Sequence, residues 1–170
     1  MAYETHAPTR RAILGLVGTA AFGAIAWRLQ GSGGDAAAAT IAPTFTLTDA
    51  EWRKRLPPNA YAVLRQAATE PPFSSPLNNE HRAGTFVCAG CALPLFRSST
   101  KFDSGTGWPS FYDHLPRAVS EKSDTTLGMI RTEVRCARCA GHLGHVFDDG
   151  PRPTGLRYCM NGLALSFVKA

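Results

Sequence analysis

The sequence lacks the G-x-x-x-x-G-K loop and the G-x-G-x-x-G turn, so the usual cradles for nucleotide phosphates and dinucleotides are absent. It also lacks a long apolar stretch. The run Ala12 to Trp27 holds 16 residues and falls short of the roughly 20 that span a bilayer comfortably. Charge is scarce and mixed, at 18% of residues and a formal +5, with no basic cluster of the kind that marks a nucleic-acid binder. Internal repeats and low-complexity tracts are missing after residue 40, apart from two C-x-x-C units. An even cysteine count is missing too: there are five, and four of them fall into the two C-x-x-C units. What remains is 170 residues with 44% hydrophobic content, enough for one ordinary domain plus about forty residues of another kind.

Those other residues are the first thirty-nine. Eleven Ala and six Gly fall among them, and Arg10-Arg11 stands directly before the apolar run. A basic start, an apolar middle and the small-residue end Ala36–Ala39 make an export-signal pattern. Thr9-Arg10-Arg11-Ala12-Ile13-Leu14 resembles a twin-arginine signal, with Ile13 where Phe is common. An ordinary secretory signal or an uncleaved anchor would lead to the same compartment. We therefore expect an export segment at 1–39 and a working domain at 40–170, in the periplasm or otherwise outside the bacterial cytoplasm. Residues 40–170 keep 15 basic and 11 acidic residues, a charge of +4. A cation held by four thiolates would lower it further, so nucleic acid is not an expected partner.

In the working domain, Thr48 with Glu51 three residues on forms a capping box and predicts a short helix that Pro57-Pro58 stops. Asn59 to Ala68 predicts a second helix, with Ala60, Val63, Leu64 and Ala67 on one side. Beyond residue 84 the period becomes two. Ile130, Thr132, Val134 and Cys136 alternate with Arg131, Glu133 and Arg135, and Thr85–Cys88 and Arg157–Val168 also read as strands. The expected fold is mainly β and antiparallel, preceded by short N-terminal helices.

Cys88-Ala-Gly-Cys91 and Cys136-Ala-Arg-Cys139 form two tight knuckles, and two knuckles complete a tetrahedral site. Cys88 and Cys136 both end strand-like runs, which predicts knuckles side by side on adjacent strands. A closed four-cysteine shell leaves no open position, so one zinc ion per chain would fold the domain without doing chemistry. Disulfides are the alternative in an exported protein, with three pairings open. Twin-arginine export carries folded proteins and favours a metal loaded in the reducing cytoplasm.

Cys159 is the remaining cysteine. Strand alternation would set Arg157, Cys159 and Asn161 on one face, with a cation beside the thiol to favour the thiolate and an amide to orient a reacting group. A buried structural cysteine is the alternative. Gly141-His142-Leu143-Gly144-His145 follows the second knuckle directly. With the metal shell filled, His142 and His145 are candidates for proton transfer, although core or surface histidines are as common. In Ser104-Gly-Thr-Gly-Trp108-Pro-Ser-Phe111 a loop holds an aromatic face suited to walling a small apolar or thioether group, and core packing is the alternative.

Together Asp103–Phe111, Gly141–Phe147 and Arg157–Asn161 resemble the signatures of the methionine-(R)-sulfoxide reductases, the B-type family. Thr69–Phe73 and Lys101–Ser104 also fit, and the likeness runs from about Thr48 to the C-terminus. The resemblance implies a fold of two antiparallel sheets with a four-cysteine zinc, and thiol-dependent reduction of methionine (R)-sulfoxide, with protein-bound and free forms both open as substrates. It implies Cys159 as the nucleophile that becomes a sulfenic acid, and Trp108 as the wall for the substrate's ε-methyl. His142, His145 and Arg157 would form the polar side, and Asn161 would hold that network. The partners implied are oxidised proteins or peptides and an external thiol or thioredoxin-like reductant, and nothing in the chain requires more than a monomer. One position departs from the family: the S-G-C-G-W-P motif of many members carries a resolving cysteine where this chain has Thr106. A one-cysteine cycle follows as the expectation, with an external thiol attacking the sulfenic acid. The rival reading is an exported zinc-ribbon binding module without catalysis.

Overall fold

The computed structural model describes residues 43–170, and the expected export segment at 1–39 lies outside the described residues. Helix α1 (Asp49–Arg55) starts where the sequence predicts. The Thr48 hydroxyl accepts from the Glu51 N–H at 3.3 Å, and the Glu51 carboxylate accepts from the Thr48 N–H at 2.7 Å. The two bonds satisfy donors that the first helical turn leaves bare. Helix α2 (Pro58–Gln66) begins one residue before its predicted start and stops two before its predicted end, because Ala67 turns into the left-handed region at φ 54°. Its apolar side buries Ala60, Val63 and Leu64, as expected, together with Tyr61. The predicted Ala67 is exposed instead.

Nine strands follow: β1 (Gly84–Cys88), β2 (Pro94–Arg97), β3 (Lys101–Phe102), β4 (Ser110–Phe111), β5 (Val119–Asp124), β6 (Arg131–Cys136), β7 (His142–Phe147), β8 (Arg157–Met160) and β9 (Leu165–Lys169). They form two sheets, β2-β1-β9 and β3-β4-β8-β7-β6-β5, and every pairing is antiparallel. The mainly β architecture with two short leading helices is the one expected. Aromatic rings join the sheets. Phe96 of β2 stacks on Phe111 of β4 at 4.4 Å, and Phe86 of β1 meets Phe111 edge-on at 4.9 Å. All three are fully buried, alongside Leu95, Val134, Leu143 and Met160.

The structure corrects three expectations. The predicted single strand from Arg157 to Val168 is two strands in different sheets, parted by a 3-10 turn over Gly162–Ala164. The turn is held by Glu70, whose buried carboxylate accepts from the N–H groups of Gly162 at 2.5 Å and Leu163 at 2.9 Å. A Cβ at Gly162 would run into the Ser75 hydroxyl, so only glycine lets the chain approach this closely. Second, the two cysteine knuckles are not on adjacent strands. Cys88 ends β1 of the smaller sheet and Cys136 ends β6 of the larger, so the cluster ties one sheet to the other. Third, Ile130 lies before β6 and is 87% exposed, outside the alternation assigned to it.

Candidate active site and metal centre

Four strands of the larger sheet build the site. Ser110 of β4 pairs with Cys159 of β8, Cys159 with His145 of β7, and His145 with Glu133 of β6. Directly opposed residues of an antiparallel ladder point to the same face, so these four form a row. His142 should stand on the other face from His145, because the two are three residues apart on one strand. A register shift overcomes this. Val134 pairs with Gly144 and Arg135 with His142, which leaves Leu143 as an extra residue. The bulge brings the two imidazoles edge to face at 5.5 Å.

Asn161 secures that bulge. Its backbone N–H and its side-chain amide both donate to the Leu143 carbonyl, at 2.8 and 3.1 Å. Its side-chain oxygen accepts from the Glu70 N–H at 3.0 Å. The expectation that Asn161 shares the Cys159 face is therefore corrected. β8 ends at Met160, and the Asn161 amide is spent on backbone groups of two other segments. Trp108 joins the same junction, donating its indole N–H to the Glu70 carbonyl at 3.1 Å.

Each cationic or imidazole group expected in the site has a carboxylate behind it. His142 Nδ1 lies 2.8 Å from Glu133, His145 Nε2 lies 2.8 Å from Asp124, and Arg157 makes two parallel bonds to Asp149 at 2.7 and 2.8 Å. Burial pushes the His142 pKa down, against the opposing pull of Glu133. Its Nε2 is buried without a partner, so it is the atom free for a ligand. Hydrogen bonds from Thr126, then from His145, hold Asp124 below the usual carboxylate range. The Asp149 bonds raise Arg157 further above its ordinary value, and interaction with the Cys159 charge acts the same way. Glu133, Asp124, Asp149 and Glu70 were not assigned roles from the sequence. Glu133 had one signal, as the lone acid between two arginines on an alternating strand. The others depend on pairings that sequence order does not contain.

Both histidines line a cleft of about 610 Å³ with Thr69, Asp124, Arg131 and Glu133. Cys159 is half-buried on the neighbouring strand. Trp108 lines a separate hollow of about 150 Å³ with Phe73, Asn78 and Lys101. The structure thus gathers Cys159, His142, His145 and Arg157 in one sheet and ties Trp108 to them through Glu70.

The four remaining cysteines are buried, with all sulfurs within 4.8 Å of one another. The Cys88 and Cys139 sulfurs are 3.7 Å apart and those of Cys91 and Cys136 are 3.5 Å apart, too far for either disulfide, and all four cysteines are free. A tetrahedral metal with bonds of about 2.3 Å to sulfur needs sulfurs about 3.8 Å apart. The cluster fits a metal ion held by four thiolates.

The SelR domain model matches residues 56–169. A protein of Thiobacillus denitrificans, "Peptide methionine sulfoxide reductase MsrB", is 58% identical over 121 residues, covering 71% of this chain and 92% of that protein. One of the same description in Bradyrhizobium diazoefficiens is 60% identical over 119 residues, 69% of this chain and 86% of that protein. A third, in Agrobacterium fabrum, is 54% identical over 126 residues, 74% and 93%.

Proposed function

This chain belongs to the SelR-domain family of methionine sulfoxide reductases, the MsrB proteins, and from that membership we propose that it reduces methionine (R)-sulfoxide to methionine with Cys159 as the nucleophile. The observation that carries the assignment of roles is the row Ser110–Cys159–His145–Glu133 with Arg157 two residues from the thiol. Reducing a sulfoxide needs a soft nucleophile, a proton for the leaving oxygen and an apolar seat for the methyl group. Cys159, the carboxylate-backed histidines and Trp108 supply one each.

The Cys159 thiolate attacks the sulfoxide sulfur while His142 or His145 protonates the oxygen and Arg157 steadies the charge. Oxygen passes to the cysteine sulfur, methionine leaves two electrons richer, and Cys159 becomes a sulfenic acid. With Thr106 in place of a resolving cysteine, an external thiol or thioredoxin-like protein attacks that sulfur and displaces water. A second thiol then releases the mixed disulfide and restores Cys159. Oxidised proteins and peptides are the substrates, met by the enzyme as a monomer.

Zinc is the metal we assign to Cys88, Cys91, Cys136 and Cys139. Four thiolates with the sulfur spacings above suit a closed structural site, and the ion's part is to tie the sheets together. The twin-arginine-like sequence at Thr9–Leu14 supports export of the enzyme from the cytoplasm. Fractionation of cells producing the full chain tests this. Retention of an Arg10→Lys, Arg11→Lys variant inside the cell supports twin-arginine export, and unchanged export refutes it.

The reaction itself is tested by one turnover without reductant. Trapping should label Cys159 with a sulfenic-specific reagent. A disulfide between Cys159 and Cys88 in the peptide map would refute the one-cysteine cycle.

A further inference from the structure

The loop that carries Trp108 also carries a line of hydroxyls ending at the reactive thiol. Ser110 is fully buried, and its hydroxyl lies 3.2 Å from the Trp108 carbonyl. Its oxygen lies 2.7 Å from the Ser104 hydroxyl, Ser104 lies 2.8 Å from Thr106, and the Thr106 hydroxyl lies 3.8 Å from the Cys159 sulfur. Gly105 and Gly107 make this convergence feasible. Both have positive φ, 69° and 92°, and the curled backbone between them turns Ser104 and Thr106 toward each other.

Each hydroxyl owns one proton, so the line has two polarities. In one, Cys159 donates to Thr106, Thr106 to Ser104, Ser104 to Ser110 and Ser110 to the Trp108 carbonyl. That order suits a neutral thiol. In the other every proton points the opposite way and Thr106 donates to Cys159, which suits a thiolate or an oxygen on its sulfur. Three O–H bonds rotate and no heavy atom moves.

Resting on the reading of Cys159 as the nucleophile, we propose that Thr106, fed by Ser104 and Ser110, donates a hydrogen bond to the oxygen that Cys159 receives and so preserves the sulfenic acid until an external thiol arrives. The need follows from Thr106. A resolving cysteine at position 106 would consume the sulfenic acid within the molecule, whereas here it has to wait. While it waits, its hazard is a second oxidation. The sulfenate sulfur gives two electrons to a peroxide, the O–O bond breaks, and the sulfur gains a second oxygen to become a sulfinic acid, which thiols do not repair. A donor on the first oxygen draws electron density from the sulfur and slows that attack. A chain of hydroxyls polarised in one direction is a stronger donor than one hydroxyl alone.

The test compares the full chain with its Thr106→Val, Thr106→Ser and Ser104→Ala variants. Each is given the (R)-sulfoxide of a blocked methionine without reductant, and released methionine is counted. Hydrogen peroxide is then added, and sulfenic and sulfinic Cys159 are followed by mass spectrometry per methionine released. Thr106→Val should shorten the survival of the sulfenic acid about tenfold, the factor one hydrogen bond to a charged acceptor supplies. Thr106→Ser should restore survival, and Ser104→Ala should fall between. Equal survival in Thr106→Val and the unchanged protein overturns the proposal. So does a variant that releases less methionine while its sulfenic acid lasts as long, because Thr106 would then only shape the pocket. If the unchanged protein releases no methionine, the assignment of Cys159 fails and the proposal falls with it. That result is read before peroxide is added, so the two failures are told apart.

Discussion

Glu133 determines which nitrogen of His142 is free. By engaging Nδ1 it fixes the ring and leaves Nε2 without a partner, and in the proposed reaction Nε2 would face the sulfoxide oxygen while the Glu133 charge would support the imidazolium. Glu133→Gln keeps the shape and removes the charge. Its kcat for the (R)-sulfoxide should drop about a hundredfold, the usual worth of a positioned acid, with little change in KM. Steady-state kinetics checks this, and an unchanged kcat would remove Glu133 from the mechanism. His142 also makes stability depend on pH. Its folded-state pKa is lowered, chiefly by burial, so the unfolded chain binds a proton more readily. Stability is therefore full above the ordinary histidine value of about 6.5 and declines as pH falls from there toward the folded value. A second decline belongs below the ordinary aspartate value, where Asp124 and Asp149 lose the partners that lower them. Urea unfolding across this range should show the first step, and His142→Gln should remove it.

The turn from β8 to β9 and the bulge in β7 organise the site at the level of elements. Asn161 holds both, with its amide on Leu143 and Glu70. Asn161→Ala should release the bulge and let the histidine rings part, so activity should fall more than stability does. Imidazole NMR signals that shift in the variant would report the loss, and unchanged signals with full activity would contradict it. Phe111 holds the sheets together, and Phe111→Ala should cost about 3–5 kcal/mol in chemical denaturation. Much of this level was legible in the residues. The Thr48–Glu51 box, the alternation around Val134 and the spacing of the two C-x-x-C units rest on local chemistry, and all three appear where expected. The rest depends on contacts distant in sequence. Period two alone puts His142 and His145 on opposite faces and Asn161 with Cys159. Only the pairing of β7 with β6 and β8 shows the bulge that reverses both. The knuckles were legible as a cluster, but their bridging of two sheets was not, because spacing along the chain carries no sheet membership.

At the scale of the whole molecule, the cysteine cluster joins the sheets and the active row lies on the larger one. Removing the metal should therefore weaken the fold and not the chemistry of an intact molecule. Cys88→Ser or a strong chelator should lower the melting temperature sharply, with activity lost in proportion to the folded fraction. Activity lost while the fold persists would give the metal a catalytic part. Cys159 is the proposed nucleophile for one epimer of methionine sulfoxide. The most direct measurement follows the separated R and S epimers of a blocked methionine sulfoxide with dithiothreitol, for the protein and its Cys159→Ser variant, with zinc assayed in both. The expected result is turnover of the R epimer alone, abolished in the variant while zinc is retained. No turnover of either epimer by zinc-loaded protein, or turnover that survives Cys159→Ser, would contradict the account.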